Sequence, residues 1–318
     1  MLRVAMKKHR IILSLITVDN DFQLEQAASA EEAARRLGVD IEVVFAEGDS
    51  IQQSQQVLKF VQTKPSERPD GILFEPIGGP ALAVAARAAV DAGIGWVVLN
   101  KQVEYVKELR QQSRVPVFAV TSDHLEMGRI HGHQLAALLP DGGSILSIEG
   151  PAESDACKLR VAGLAETKPA NVRMKTMRGS WTESSAAKSV NSWLQLSTSR
   201  HEPITAVAAQ NDAMAMGAKK AFEEFSRESG GGHHWQEVAF LGMDGVPTTG
   251  QAWVKARLLA ATIVAPPLAG TAVEMLIGAL RTGEVVPETT MLAPYSFPAL
   301  RAIKPLAERR LIATVGRM

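Results

Sequence analysis

The sequence predicts an α/β protein made of two similar, doubly wound parallel-sheet lobes, and three observations carry that reading. Apolar runs of strand length alternate with helical stretches almost throughout. The runs are unbroken rather than alternately polar, as in strands covered on both faces. There are about nine of them, many for one sheet in 318 residues. Two sheets of about five to six strands each fit common sheet sizes better, and the length suits two domains.

In order, the strand-like runs are IILSLITV (11–18), IEVVFAE (41–47), GILFEP (71–76), GWVVLN (95–100), VFAVTS (117–122), SILSIEG (144–150), TAVAAQ (205–210), VAFLGM (238–243) and LAATIVA (259–265). Between them lie helical stretches such as LEQAASAEEAARRLG, ending at Gly38, and GPALAVAARAAVDAG, ending at Gly93. Glycine at the position after a helix is the residue that most readily turns the chain left-handed. A polar helical stretch, KQVEYVKELRQQSR, precedes the expected break between lobes near Val115–His124. SGGGHHW (229–235) reads as a solvated loop, its His233-His234 pair lacking a third metal ligand at a meaningful spacing.

Composition narrows the function. Lys+Arg and Asp+Glu both number 34, so a general electrostatic attraction to nucleic acid or anionic membrane is not expected. No stretch is long and apolar enough to span a membrane. The single cysteine, Cys157, excludes an intramolecular disulfide and reads as a small helix residue. No phosphate-binding glycine motif follows the first strand, and no nucleophile elbow is present. These absences argue against an enzyme, and no metal or cofactor is expected. Basic residues ahead of Ile11 resemble a secretory leader, but no small-x-small cleavage site follows. Ile11–Val18 therefore reads as a first buried strand, and the chain as written reads as cytoplasmic unless a leader has been trimmed from it.

In open parallel sheets, ligands bind at the carboxyl ends of the strands. Polar groups collect there: Asp19-Asn20-Asp21-Phe22-Gln23, Glu75, Asn100-Lys101-Gln102, Ser122-Asp123-His124, Lys158 and Arg160 in the helix after EGPAESDACKLR, Ser180-Trp181, Gln210-Asn211-Asp212 and Asp244-Gly245. Each alone is explained as a helix cap. Together, amides, carboxylates, amines and two aromatic rings suit a polyhydroxylated ligand. Carboxylates accept from hydroxyls, ammonium groups donate to them, and rings cover apolar C–H faces.

These residues resemble the type I periplasmic binding proteins, in the ribose/galactose-binding branch whose fold also forms lac-repressor-type effector domains. The landmarks run in order over nearly the whole chain: DNDFQ, GILFEPIGGPAL, VVLNK, VTSDHLEMGRIHG, EGPAESDACKLRVAGL, AAQNDAMAMGAKKAF and FLGMDGVPTTGQAWVKARLLAATI. The resemblance implies two lobes, 1–121 with 265–292 and 122–264 with 293–318, joined by a three-stranded hinge and closing over one ligand. It implies contacts from Asn20, Phe22, Asn211 and Asp244, with Trp181 stacking on the sugar; on this view Asn211 faces the ligand and Asp212 caps its helix. Gln23, Glu75, Asn100, Lys101 and Lys158 stand at further binding positions but depart from the ribose pattern, pointing to another polyol, an aminated sugar or an acidic one. Implied partners are an ABC-type permease or a sensor kinase, with a monomer expected and the periplasm the family's usual compartment. A ligand-sensing domain of a lac-repressor-type regulator lacking its DNA-binding segment is the alternative.

Overall fold

The computed structural model describes residues 8–77, 82–197, 203–228 and 238–309. The loop with His233 and His234 lies outside them. The chain divides into two compact units, Met1–Ser122 with Pro266–Leu292, and Asp123–Ala265 with Ala293–Met318.

The first unit is a six-stranded parallel sheet: β1 (Arg10–Leu15), β2 (Asp40–Phe45), β3 (Gly71–Phe74), β4 (Gly95–Leu99), β5 (Val117–Ser122) and β11 (Thr289–Leu292), in the order β11-β5-β4-β3-β1-β2. Successive β1 side chains serve opposite faces. Ile11, Leu13 and Leu15 pack with α1 (Asp21–Leu37) and α10 (Leu268–Thr282), whereas Ile12 packs with α2 (Ser50–Val61), α3 (Ala83–Asp91) and α4 (Tyr105–Gln112). Two apolar faces on each strand explain why the runs read as continuous.

Local sequence sets the helix limits. Asn20 accepts from the Phe22 and Gln23 amides at the start of α1, and Gly38 closes that helix at φ +66°. Asp49 caps α2 in the same way. The start of α10 has no cap of its own, and Gln26 of α1 supplies it: Oε1 accepts from the Leu268 and Ala269 amides at 2.7 and 3.0 Å. A buried glutamine thus replaces the usual cap and locks α10 against α1.

The second unit holds a four-stranded parallel sheet of β6 (Gly143–Glu149), β7 (Val172–Arg178), β8 (Ile204–Ala209) and β9 (Ala239–Leu241), in the order β7-β6-β8-β9. β10 (Thr262–Val264) and β12 (Tyr295–Phe297) form a separate antiparallel pair. This corrects the expectation of two sheets of five to six strands. Only isolated bridges, Leu241 to Ala261 and Asp244 to Val264, link the β9 segment to the β10 segment. One face of the sheet packs on α7 (Glu183–Leu194) and α8 (Asp212–Glu228), and the other on α5 (His124–Leu138) and α6 (Asp155–Thr167). α5 and α6 approach closely enough that a Cβ on Gly128 would lie 2.2 Å from the Arg160 carbonyl oxygen. β7 reads poorly as an apolar run because it is an edge strand whose residues after Val172 are mostly exposed.

Candidate functional site

In each sheet the strand order reverses direction once, between β1 and β3 in the first unit and between β6 and β8 in the second. Such switch points open the crevices in which parallel α/β sheets take their ligands. In both units a glutamine bridges the switch.

In the first unit that residue is Gln23. Its Oε1 accepts from the Ile16 amide (2.8 Å), and its Nε2 donates to Glu75 Oε2 (2.7 Å). The other Glu75 oxygen accepts from Asn100 Nδ2 at 2.8 Å. Glu75 is buried, and its backbone is held from behind by Gln53, whose Nε2 donates to the Glu75 carbonyl at 2.8 Å. Asn100 Oδ1 is buried and accepts no hydrogen bond among the described residues. Asn100 adopts φ +56°, a region asparagine tolerates better than most residues. Lys101 follows it, half-buried. Asn20 uses its side-chain oxygen as the α1 cap, and Phe22 is buried beside it. The structure therefore gathers Gln23, Glu75 and Asn100 into one hydrogen-bonded group, with Asn20, Phe22 and Lys101 next to them in the chain.

In the second unit Gln210 plays the equivalent part. Its Oε1 accepts from the Gly150 amide (3.0 Å) across the switch, and its Nε2 donates to the Cys157 carbonyl (3.2 Å). The Gln210 carbonyl accepts from Arg160, which is buried. The Arg160 guanidinium lies 3.9 Å from Asp244 Oδ1, 3.5 Å from His124 Nδ1, and over the Trp181 ring with 5.4 Å to the centroid. Trp181 packs over Gly150, where a Cβ would lie 2.2 Å from the ring. Trp181 and Asp244 both hold positive φ, +64° and +99°. Non-glycine residues kept in such conformations carry on the order of 1–3 kcal/mol of strain each, and they gather at functional sites.

Two sequence assignments change. Asn211, not Asp212, caps α8: its Oδ1 accepts from the Met214 amide at 2.8 Å, while its Nδ2 holds the Trp181 carbonyl at 2.8 Å. Asp212 faces away from the helix amides and accepts from the Gly245 amide (2.8 Å) and the Thr262 hydroxyl (2.7 Å). Burial, reinforced by the neighbouring Asp244 carboxylate, raises its pKa well above the usual carboxylate value. Lys158 stands apart: its side chain is 60% exposed and pairs with Asp155 at 3.3 Å, one helical turn away. The cation that meets Trp181 and Asp244 is Arg160, two residues further along α6. Lys and Arg two apart lie on different sides of a helix, and the spacing alone did not say which side faces inward.

Around this group, His131 of α5 is fully buried, and burial together with the nearby Arg160 charge lowers its pKa to about 3. Cys157 is a buried α6 residue whose thiol donates to the Gly150 carbonyl at 3.4 Å, and burial raises its pKa. Among the described residues no cluster of three or more His, Cys, Asp or Glu is arranged to hold a metal ion. No described helix is long and apolar enough to cross a membrane.

A parallel sheet in each of two units, with its switch point bridged by a glutamine, is the architecture of the periplasmic-binding-protein class. A family model described as periplasmic binding protein domain matches residues 11–284, and the chain belongs to that family. It is 25% identical over 279 residues to the D-allose-binding periplasmic protein of Escherichia coli, covering 86% of this chain and 85% of that protein. It is 27% identical over 264 residues to a ribose import binding protein of Salmonella typhimurium, covering 83% and 81%. Among solved structures, a periplasmic solute binding protein of an ABC transporter from Actinobacillus succinogenes with bound D-allose has the same fold, with TM-score 0.76, 22% identity, and coverage of 91% of this chain and 97% of that one.

Proposed function

We propose that this chain is a solute-binding protein that takes up a sugar, a polyol or a sugar derivative for ABC-type import, with no bond made or broken. The observation that carries this reading is the group in the second unit, where Trp181, Arg160 and Asp244 meet beside the β6–β8 switch point. A ring to cover C–H faces beside a buried cation and a carboxylate is the equipment a hydroxyl-rich molecule needs. The D-allose binding and the ribose import named for two relatives about a quarter identical support it.

The proposed ligand-contacting residues are Asn20, Phe22, Gln23, Glu75, Asn100 and Lys101 in the first unit. In the second they are Trp181, Asn211 and Asp244, with Arg160 as the cation. Toward the ligand the first unit offers acceptors, the Glu75 carboxylate and the Asn100 oxygen. That favours a ligand rich in hydroxyl or ammonium donors on that side.

The test is a thermal-shift screen against D-allose, D-ribose, myo-inositol, D-glucosamine and D-glucuronate, with titration calorimetry on any that respond. A molecule that binds only the folded chain raises the unfolding midpoint by mass action. A shift with at least one of these is expected. No response to any of them at millimolar concentration sinks the reading.

A further inference from the structure

Asp212 opens α8 in the sequence yet gives its carboxylate to two other segments. Oδ2 accepts from the Gly245 amide at 2.8 Å, and Oδ1 accepts from the Thr262 hydroxyl at the start of β10 at 2.7 Å. Its backbone amide donates to the Met243 carbonyl at 2.7 Å. The space around the carboxylate exists because glycines surround it: a Cβ on Gly242 would lie 2.1 Å from Oδ1, and one on Gly250 2.0 Å from Oδ2.

Between Met243 and Gly245 stands Asp244. Asp244 and Gly245 hold φ +99° and +59° in succession. A non-glycine residue in that conformation persists only where its surroundings over-determine it. Here the surroundings are Asp212, which grips the chain on both sides of Asp244.

We propose that Asp212 is the positioning residue for Asp244, holding the Gly245 amide so that the strained turn aims the Asp244 carboxylate. The proposal rests on the reading of Asp244 as a ligand-contacting residue. The ionisable groups that face Asp212 are Asp244 and Arg160. The residue after β9, the helix α9 (Gly250–Lys255) and β10 present Gly242, Gly250 and Thr262, none of which titrates. The role asks for an acceptor at Oδ2 rather than for a charge. An asparagine can meet it, keeping its carbonyl toward the Gly245 amide and turning its NH₂ toward the Thr262 oxygen. Alanine cannot.

Two measurements on the full chain decide it. The first needs no sugar: amide hydrogen exchange over residues 243–247 in wild type, Asp212→Asn and Asp212→Ala. Exchange at the Gly245 amide rises by about tenfold or more in Asp212→Ala and stays near wild type in Asp212→Asn, as expected when a buried donor loses or keeps its acceptor. If Asp212→Ala does not fold, Asp212→Ser replaces it, its hydroxyl being too short to reach that amide. A folded Ala or Ser variant with wild-type exchange there overturns the proposal, and so does an Asn variant as fast as Ala.

The second is titration with D-allose, D-ribose and myo-inositol, with Asp244→Ala alongside. The responding sugar should bind Asp212→Asn within about threefold of wild type and Asp212→Ala at least about tenfold more weakly, the size of one lost charged hydrogen bond. If Asp244→Ala binds as wild type, the reading of Asp244 as a ligand contact falls, and in that case, or if none of these three molecules binds wild type, the exchange measurement alone judges the tether. If Asp244→Ala loses binding while folded Asp212→Ala keeps it, positioning by Asp212 is wrong.

Discussion

The Arg160 guanidinium lies over the Trp181 ring, its central carbon 5.4 Å from the ring centroid, and the same group stands 3.9 Å from Asp244. One buried cation therefore faces an aromatic ring, a carboxylate and the backbone carbonyl of Gln210, whose side chain bridges the switch point. Removing it as Arg160→Ala strips the cation that faces Asp244 and Asp212, and loss of one partner from a buried pair costs about 3–5 kcal/mol. Urea unfolding at neutral pH measures it. Arg160→Lys should recover only part of the loss, because an ammonium lacks the planar fork that spans ring, carbonyl and carboxylate at once. Full recovery by lysine would mean that charge alone is what the site requires.

Lys158 supplies the contrast on the same helix. With its side chain mostly in water and paired with Asp155 at 3.3 Å, Lys158→Ala should change stability by no more than about 0.5 kcal/mol. Sugar affinity should be equally unmoved. A drop in affinity of about tenfold or more would return Lys158 to the binding group and displace Arg160 from the role given to it here.

What made the fold legible was the strand pattern. Ile11 to Leu15 are buried on both faces of a parallel sheet, and such strands read as unbroken apolar runs. β7 escaped that pattern because it is an exposed edge, and the pairing of β10 with β12 because Tyr295–Phe297 is three residues long and antiparallel. At the site, the residue types at the strand ends were readable but their orientations were not. Asn211 and Asp212 are adjacent and both are good caps, so the sequence could not assign the cap. The assignment came from Gly242 and Gly250, up to thirty-eight residues away, which make room for one carboxylate, and from the Gly245 amide that donates to it; together they take Asp212 away from the helix. Lys158 and Arg160 posed the same difficulty, settled only by the way α6 packs.

Glu75 accepts from two amides at once, Gln23 at 2.7 Å and Asn100 at 2.8 Å, in a buried position. Glu75→Gln keeps the volume but turns one acceptor into a donor, so one of the two amides meets another N–H. The expected cost is about 1–3 kcal/mol, the penalty for leaving a buried polar group unsatisfied, read as a lower urea midpoint. The same change should lower the affinity for D-glucosamine relative to D-allose if Glu75 faces a donor-rich edge of the ligand. An unchanged ratio would place that edge elsewhere.

His131 predicts how stability depends on pH. Burial and the Arg160 charge hold its folded pKa near 3, against 6.5 for an unperturbed histidine. In the folded chain it stays neutral while the unfolded chain takes up a proton as pH falls below 6.5. Its contribution is thus intact above that pH and is lost progressively down to about 3. By pH 4.5 the loss should be roughly 2–3 kcal/mol. Asp212 works in the opposite sense: its raised pKa means that falling pH restores stability over its own titration. A difference between variants is therefore needed to isolate the histidine. His131→Leu removes one titrating group at a buried position where Nε2 has no hydrogen-bond partner among the described residues. Urea unfolding of wild type and His131→Leu at pH 7.5 and 4.5 should show the wild type losing roughly 2–3 kcal/mol more than the variant between the two pH values. Equal losses would mean that the histidine finds a proton-compatible partner inside the fold and that Arg160 does not hold it neutral.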